Sequence, residues 1–74
     1  MKFSIYLING GEGITPMARD LYSEIWRGER VADAAQAKKK ARAWANGFFN
    51  GNVRLEFVAC TQEKADEWKR RDEN

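Results

Sequence analysis

Four cations fall within five positions, at Lys38, Lys39, Lys40 and Arg42, and Arg54 follows with no acid between Asp33 and Glu56. Ammonium and guanidinium groups at this density attract phosphates or carboxylates. Trp44 and the run Phe48-Phe49-Asn50-Gly51-Asn52 come next, where an aromatic ring can be offered for stacking a base beside the charges. Lys38 and Arg42 stand at the i,i+4 spacing of a helix, a like-charge pair that costs about 0.2–0.5 kcal/mol. A helix that keeps such a pair points to an acidic partner, either carboxylates on a protein or a phosphate backbone. Two plainer readings stand beside it: a solvated face kept soluble by lysines, or cations answered by Glu29 and Asp33 once the chain folds. Trp26 and Phe49 are the candidate apolar anchors, because aromatics dominate the energetics of small interfaces.

Other chemistry finds few carriers. The chain has no histidine, hence neither the usual acid/base of physiological pH nor the commonest metal ligand. Cys60 is its one cysteine, too few for an intramolecular disulfide or a cysteine zinc site. With no histidine to act as its base, that thiol reads as structural. Asn9-Gly10-Gly11-Glu12-Gly13 invites a phosphate-cradle reading, but it lacks the GxxxxGK[ST] pattern and Glu12 would repel a phosphate. It reads as a turn. Asp20 and Glu24 could touch a hard cation at i,i+4, yet read as the solvated side of a helix. No catalytic, metal-binding or cofactor-binding residue is expected.

The elements that must position these groups follow from periodicity. Lys2–Ile8 alternates as a strand, with Phe3, Ile5 and Leu7 on one side. Thr15 and Pro16 look like an N-cap and first turn. Met17, Ala18, Leu21, Tyr22, Ile25 and Trp26 then recur at helical spacing, up to a stop at Gly28. A strand over Tyr22–Trp26, hairpinned back on the first, is the competing reading. Glu29–Ala32 reads as a short extended piece, a candidate third strand. Asp33 with Gln36 forms a capping box for a second helix, whose apolar stripe runs through Ala34, Ala37, Ala41, Trp44, Ala45 and Phe48. Trp44 and Phe48 are expected in the core. Val53–Cys60 is the second clear strand. Thr61 caps a last helix that docks through Ala65 and Trp68, with i,i+4 pairs Asp66–Arg70 and Glu67–Arg71. Residues 72–74 are expected to fray.

Seventy-four residues allow one small domain. Leu, Ile, Val and Phe number only 14, but nine aromatics and a net charge of +2 favour a folded chain. The expected fold is α+β, β-α-(β)-α-β-α, with helices on one face of a two- or three-stranded sheet. Two strands alone are marginal, so either a third strand or a homodimer must complete the sheet. The longest apolar run, Phe3–Ile8, is too short to span a bilayer, and no leader cleavage site follows it. A cytoplasmic, non-catalytic domain is the expectation.

Charge is divided unevenly along the chain. Residues 1–37 carry four cations and five anions, residues 38–74 nine and six. In size and style the sequence resembles many small phage- or plasmid-encoded proteins that act by stoichiometric binding. Such proteins block a host machine such as a CRISPR interference complex (anti-CRISPR-like action) or RNA polymerase. The function expected is therefore a protein-binding inhibitor or adaptor anchored by Lys38, Lys39 and Arg42, which share one flank of the basic helix while Lys40 lies on the other, with Trp26 or Phe49 as the apolar hot spot. The alternative is a nucleic-acid-binding module that touches phosphates through Lys38, Lys39, Lys40, Arg42 and Arg54. That alternative carries a number. Four or five phosphate contacts give log K against log salt a slope of about −4, measurable by fluorescence anisotropy of labelled DNA and RNA.

Overall fold

Strand β1 spans Lys2–Asn9, as the sequence predicts to within one residue. The computed structural model describes residues 2–72. In it β1 is followed by β2 (Ile14–Arg19), β3 (Glu24–Arg27), α1 (Ala34–Phe48), β4 (Arg54–Thr61) and α2 (Gln62–Asp72). The strands form one mixed sheet in the order β3-β2-β1-β4, with β1–β2 and β2–β3 antiparallel and β1–β4 parallel. No helix among the described residues is long and apolar enough to cross a membrane.

The fold is α+β, but the described residues hold four strands and two helices. The expected helix from Pro16 to Arg27 is instead the hairpin β2–β3. Its residues are buried in an unbroken run from Pro16 to Arg19. A strand covered on both faces shows no alternation, so the chance helical spacing of Met17, Ala18, Leu21 and Tyr22 was the only visible period. Pro16 is tolerated for a local reason. Its carbonyl accepts from Gly28 N at 2.9 Å. The N–H it lacks would lie on that same side, just past the end of β3, so no ladder bond within β3 is lost. The competing strand reading of Tyr22–Trp26 is right in kind, although β3 pairs with β2 and not with β1. Val31, in the piece expected to be extended, bridges Ile14 through two backbone hydrogen bonds of 2.8 and 2.9 Å.

The two helices lie on opposite faces of the sheet, not on one. Ile5, Ala18 and Phe57 share a face by register, and α1 packs there through Ala41, with Phe3, Leu7, Trp26, Trp44 and Leu55 around it. Ile8, Met17 and Cys60 point the other way and meet Ala65 of α2, with Tyr6 and Trp68 alongside. The reading failed here because β1 is apolar on both sides: Phe3, Ile5 and Leu7 on one, Tyr6 and Ile8 on the other. Since the sheet has four strands within one chain, no second copy is needed to complete it.

Local signals place both helices. Asp33 caps α1, accepting from Gln36 N at 2.9 Å. Thr61 Oγ1 accepts from Lys64 N at 3.1 Å and starts α2 directly from the end of β4. Trp68 docks α2 as expected, edge-on to Tyr6 at 4.7 Å and beneath the Arg19 guanidinium at 4.7 Å. The far end of α2 is tied down by Asp72, which receives Arg19 Nη2 at 3.2 Å. Asp72 is thus part of the helix rather than frayed; the same expectation for residues 73 and 74 lies outside the described residues. The i,i+4 pairs expected in α2 are replaced by Gln62–Asp66 at 2.9 Å and Lys64–Glu67 at 3.8 Å.

Trp44 sits at the centre of the aromatic packing on the α1 face, stacked on Trp26 with ring centroids 4.9 Å apart and planes 5° from parallel. Trp44→Ala is expected to lower the unfolding free energy by about 3–5 kcal/mol, read by chemical denaturation. That is a large fraction of the stability of so small a chain. A loss below about 1 kcal/mol would show that the stack does not hold α1 on the sheet.

Candidate functional site

The position of the basic residues is set by the alanines between them. Ala37, Ala41 and Ala45 recur every four residues and are buried, so α1 lies close over β1 and β2. Lys38 and Arg42, each one residue further round the helix, fall on the flank beside β4. There they lie over the ring of Phe57, with Lys38 Nζ at 5.6 Å and Arg42 Cζ at 5.1 Å from its centroid. The like-charge cost of this pair is therefore offset by the negative face of one aromatic ring. Beside them runs a groove of about 460 Å³ whose floor is Val53, Leu55 and Phe57 and whose wall is Arg42, Ala45 and Asn46.

The other candidates are dispersed. Lys39 and Lys40 line a separate shallow depression on the solvent side of α1 with Gln36 and Ala43. Arg54 pairs in register with Lys2 on the sheet face away from α1. Trp26 and Phe49 are both half-buried. Trp26 belongs to β3 and is stacked on Trp44, while Phe49 lies against Phe3 at 5.4 Å and Trp44 at 5.8 Å. Phe48, expected in the core, is instead 57% exposed while stacking on Trp44 at 5.1 Å. The helix is ending there, so its last turn overhangs the sheet.

Folding does not neutralise the basic flank. Asp33 is engaged in its cap, and neither it nor Glu29 reaches a cation of α1. Among the described residues, Lys38, Lys39, Lys40, Arg42 and Arg54 have no carboxylate partner. Five cations elsewhere do have one: Lys2 with Glu56, Arg19 with Asp72, Lys64 with Glu67, Arg27 with Glu24 at 2.6 Å and Arg30 with Glu12 at 3.2 Å. The last of these, together with Asn9 Oδ1 accepting from Gly11 N at 3.1 Å, makes the glycine-rich segment an ordinary hairpin turn. A second groove, between α2 and the β2–β3 hairpin, is lined by the ion pairs Arg19–Asp72 and Arg27–Glu24 and by Lys69.

Sequence reasoning missed three residues at the surface. Phe57 reads as an ordinary strand residue, and only the path of α1 makes it a cation platform. Leu21 and Tyr22, counted into a helical stripe, sit at the β2–β3 tip and are 88% and 83% exposed. Asp20 is the signal that could have found them, since an aspartate two residues ahead of the tip builds an Asx turn. Its Oδ1 accepts from Tyr22 N at 2.7 Å and Ser23 N at 2.8 Å. Cys60 is buried, its Sγ donates to Thr61 O at 3.4 Å, and burial pushes its thiol pKa up, partly countered by Lys64. A protonated, enclosed thiol is a poor nucleophile.

No protein-family model, curated protein or solved structure matches this chain.

The backbone N–H groups of Ser23 and Tyr22 hold the Asp20 carboxyl below its ordinary pKa of 3.8. A lowered native pKa means the folded turn favours the carboxylate. Its contribution is therefore complete above the ordinary carboxylate range and is lost as pH falls through the native value. Amide hydrogen exchange at Tyr22 and Ser23 is expected to lose protection, relative to the β1 amides, as the pH is taken below that range. Protection unchanged down to about pH 2 would mean the turn stands without the carboxylate.

Proposed function

We propose that this chain is a non-catalytic protein-binding domain, an inhibitor or adaptor that acts by stoichiometric docking of its α1–β4 flank onto an acidic protein surface. The observation that carries this reading is the unanswered pair Lys38 and Arg42, seated on Phe57 beside a groove floored by Val53, Leu55 and Phe57. Charge of one sign beside apolar floor is the composition of an interface with a charged rim. The exposed tip residues Leu21 and Tyr22, stiffened by Asp20, add a second set of anchors of the kind that binding energy concentrates on. A host machine of the sort that small phage or plasmid proteins block, such as a CRISPR interference complex or RNA polymerase, fits this use. No chemistry is required of the domain.

Nucleic acid is the second reading, favoured by the exposed Phe48 at the C-terminal end of a helix bearing four cations without a carboxylate partner among the described residues. It is weakened by dispersal: Lys40 lies on the opposite flank of α1 from Lys38 and Arg42, Lys39 faces the solvent side between them, and Arg54 lies on the other sheet face. A single phosphate backbone would not meet all five.

The test is a charge reversal. Lys38→Glu together with Arg42→Glu is expected to abolish co-purification of the partner from its source cells while lowering stability by no more than about 1–2 kcal/mol, the worth of two exposed cation–π contacts. Lys39→Glu, one position away on the solvent side, is expected to leave co-purification intact. A double variant that keeps its partner, or that unfolds, would overturn the assignment of these cations to binding. Anisotropy showing micromolar nucleic-acid binding with a salt slope of about −4 would replace it with the second reading.

A further inference from the structure

The two edges of the sheet differ in how well they are guarded. Strand β3 has four residues and carries a register shift opposite Ala18 and Arg19 that leaves Ile25 as its extra residue. A short, bulged edge is a poor template for another strand. Strand β4 has eight residues, pairs with β1 without a shift from Lys2↔Arg54 to Asn9↔Thr61, and contains neither proline nor glycine. Its outer side has no strand beside it. A regular edge of that length presents about 26 Å of unpaired main chain. The groove of Leu55 and Phe57 lies along that edge on the α1 side.

We infer that β4 is a strand-addition site for an extended acidic segment of another protein, which joins the sheet as a fifth strand. This rests on the protein-binding reading above and specifies the form of the partner. Main-chain hydrogen bonds to the β4 edge supply the affinity, and side-chain chemistry on each face supplies the selection. On the α1 face, alternate side chains of the added strand lie beside Leu55 and Phe57, within the reach of Lys38 and Arg42. Carboxylates at those positions meet cations that have no carboxylate partner among the described residues. On the opposite face the segment meets Arg54, also unanswered, and Glu56, which Lys2 already neutralises at 3.5 Å. The rim is thus cationic on both faces. A second copy of this chain would bring the same uncompensated cations to the shared edge, whereas an acidic strand cancels them. Charge therefore selects the acidic segment over self-association.

The test uses the full chain and a synthetic octapeptide with blocked ends, alternating glutamate with valine and threonine. Two further octapeptides carry N-methyl groups on the odd or on the even amides. The unmodified peptide is expected to bind and to slow hydrogen exchange of β4 amides while leaving β3 unchanged. Only one of the N-methylated peptides should lose binding, by about tenfold or more, because only one set of amides faces β4. Lys38→Gln with Arg42→Gln should weaken the unmodified peptide by a similar factor, and the N-methyl comparison does not depend on how that variant folds. Equal binding of all three peptides, or none at about 1 mM, would overturn strand addition while leaving the charge-reversal result on the natural partner to decide the protein-binding reading separately. Protection of β4 amides without peptide, with a mass that rises with concentration, would overturn it in favour of a second copy. Protection of the same amides by oligothymidylate instead of peptide would overturn it in favour of phosphate.

Discussion

Burial of β1 and β2 on both faces is the constraint on which the rest of this structure depends. A small chain with few large aliphatic residues cannot cover two sheet faces with bulky side chains, and it does not try. On one face Ala37, Ala41 and Ala45 bring the α1 backbone near enough for Ile5 and Ala18 to be sealed. On the other, a single alanine and a single tryptophan of α2 cover Ile8 and Met17. Close approach substitutes for side-chain volume, and aromatic rings close what remains.

That arrangement brings one charge inside. Arg19 is only 8% exposed, because its place in β2 points it under α2. A guanidinium there must be paired, and it is, by the Asp72 carboxylate and the face of Trp68. The C-terminal turn of α2 is therefore required by the sheet's interior. The pairing reaches across 53 positions of sequence and joins the last described residue to the second strand.

The same packing decides what the surface offers. Because α1 settles over β1 and β2, β4 keeps a partly open flank, and the two cations that follow the buried alanines have nowhere to lie except over Phe57. Lys2, Arg19, Arg27, Arg30 and Lys64 find carboxylates during folding. At this flank Lys38 and Arg42 find a ring, which holds them without neutralising them. The result is a charged rim, an apolar floor and a regular strand edge in one place, drawn from α1, the turn at Gly51 and β4.

Local rules made part of this legible in the sequence. β1 and β4 alternate, Asp33 and Thr61 cap the helices that follow them, and Trp68 is the only large apolar residue able to dock α2, so those elements were readable from neighbouring residues alone. The concentration of unanswered charge between Asp33 and Glu56 was readable too, because no acid lies within reach along the chain. What only the tertiary structure decided was the conformation of residues 14–27, the side of the sheet each helix takes, and which cations share a surface. Met17 to Tyr22 have the spacing of a helix and the environment of a hairpin. The environment won, since a strand covered on both faces gains more from burial than a marginal helix gains from its period. Lys38 and Arg42 lie over Phe57, and Lys39 and Lys40 do not, for the same reason: a helix has no preferred face until something packs against it, and here the sheet chose the alanines.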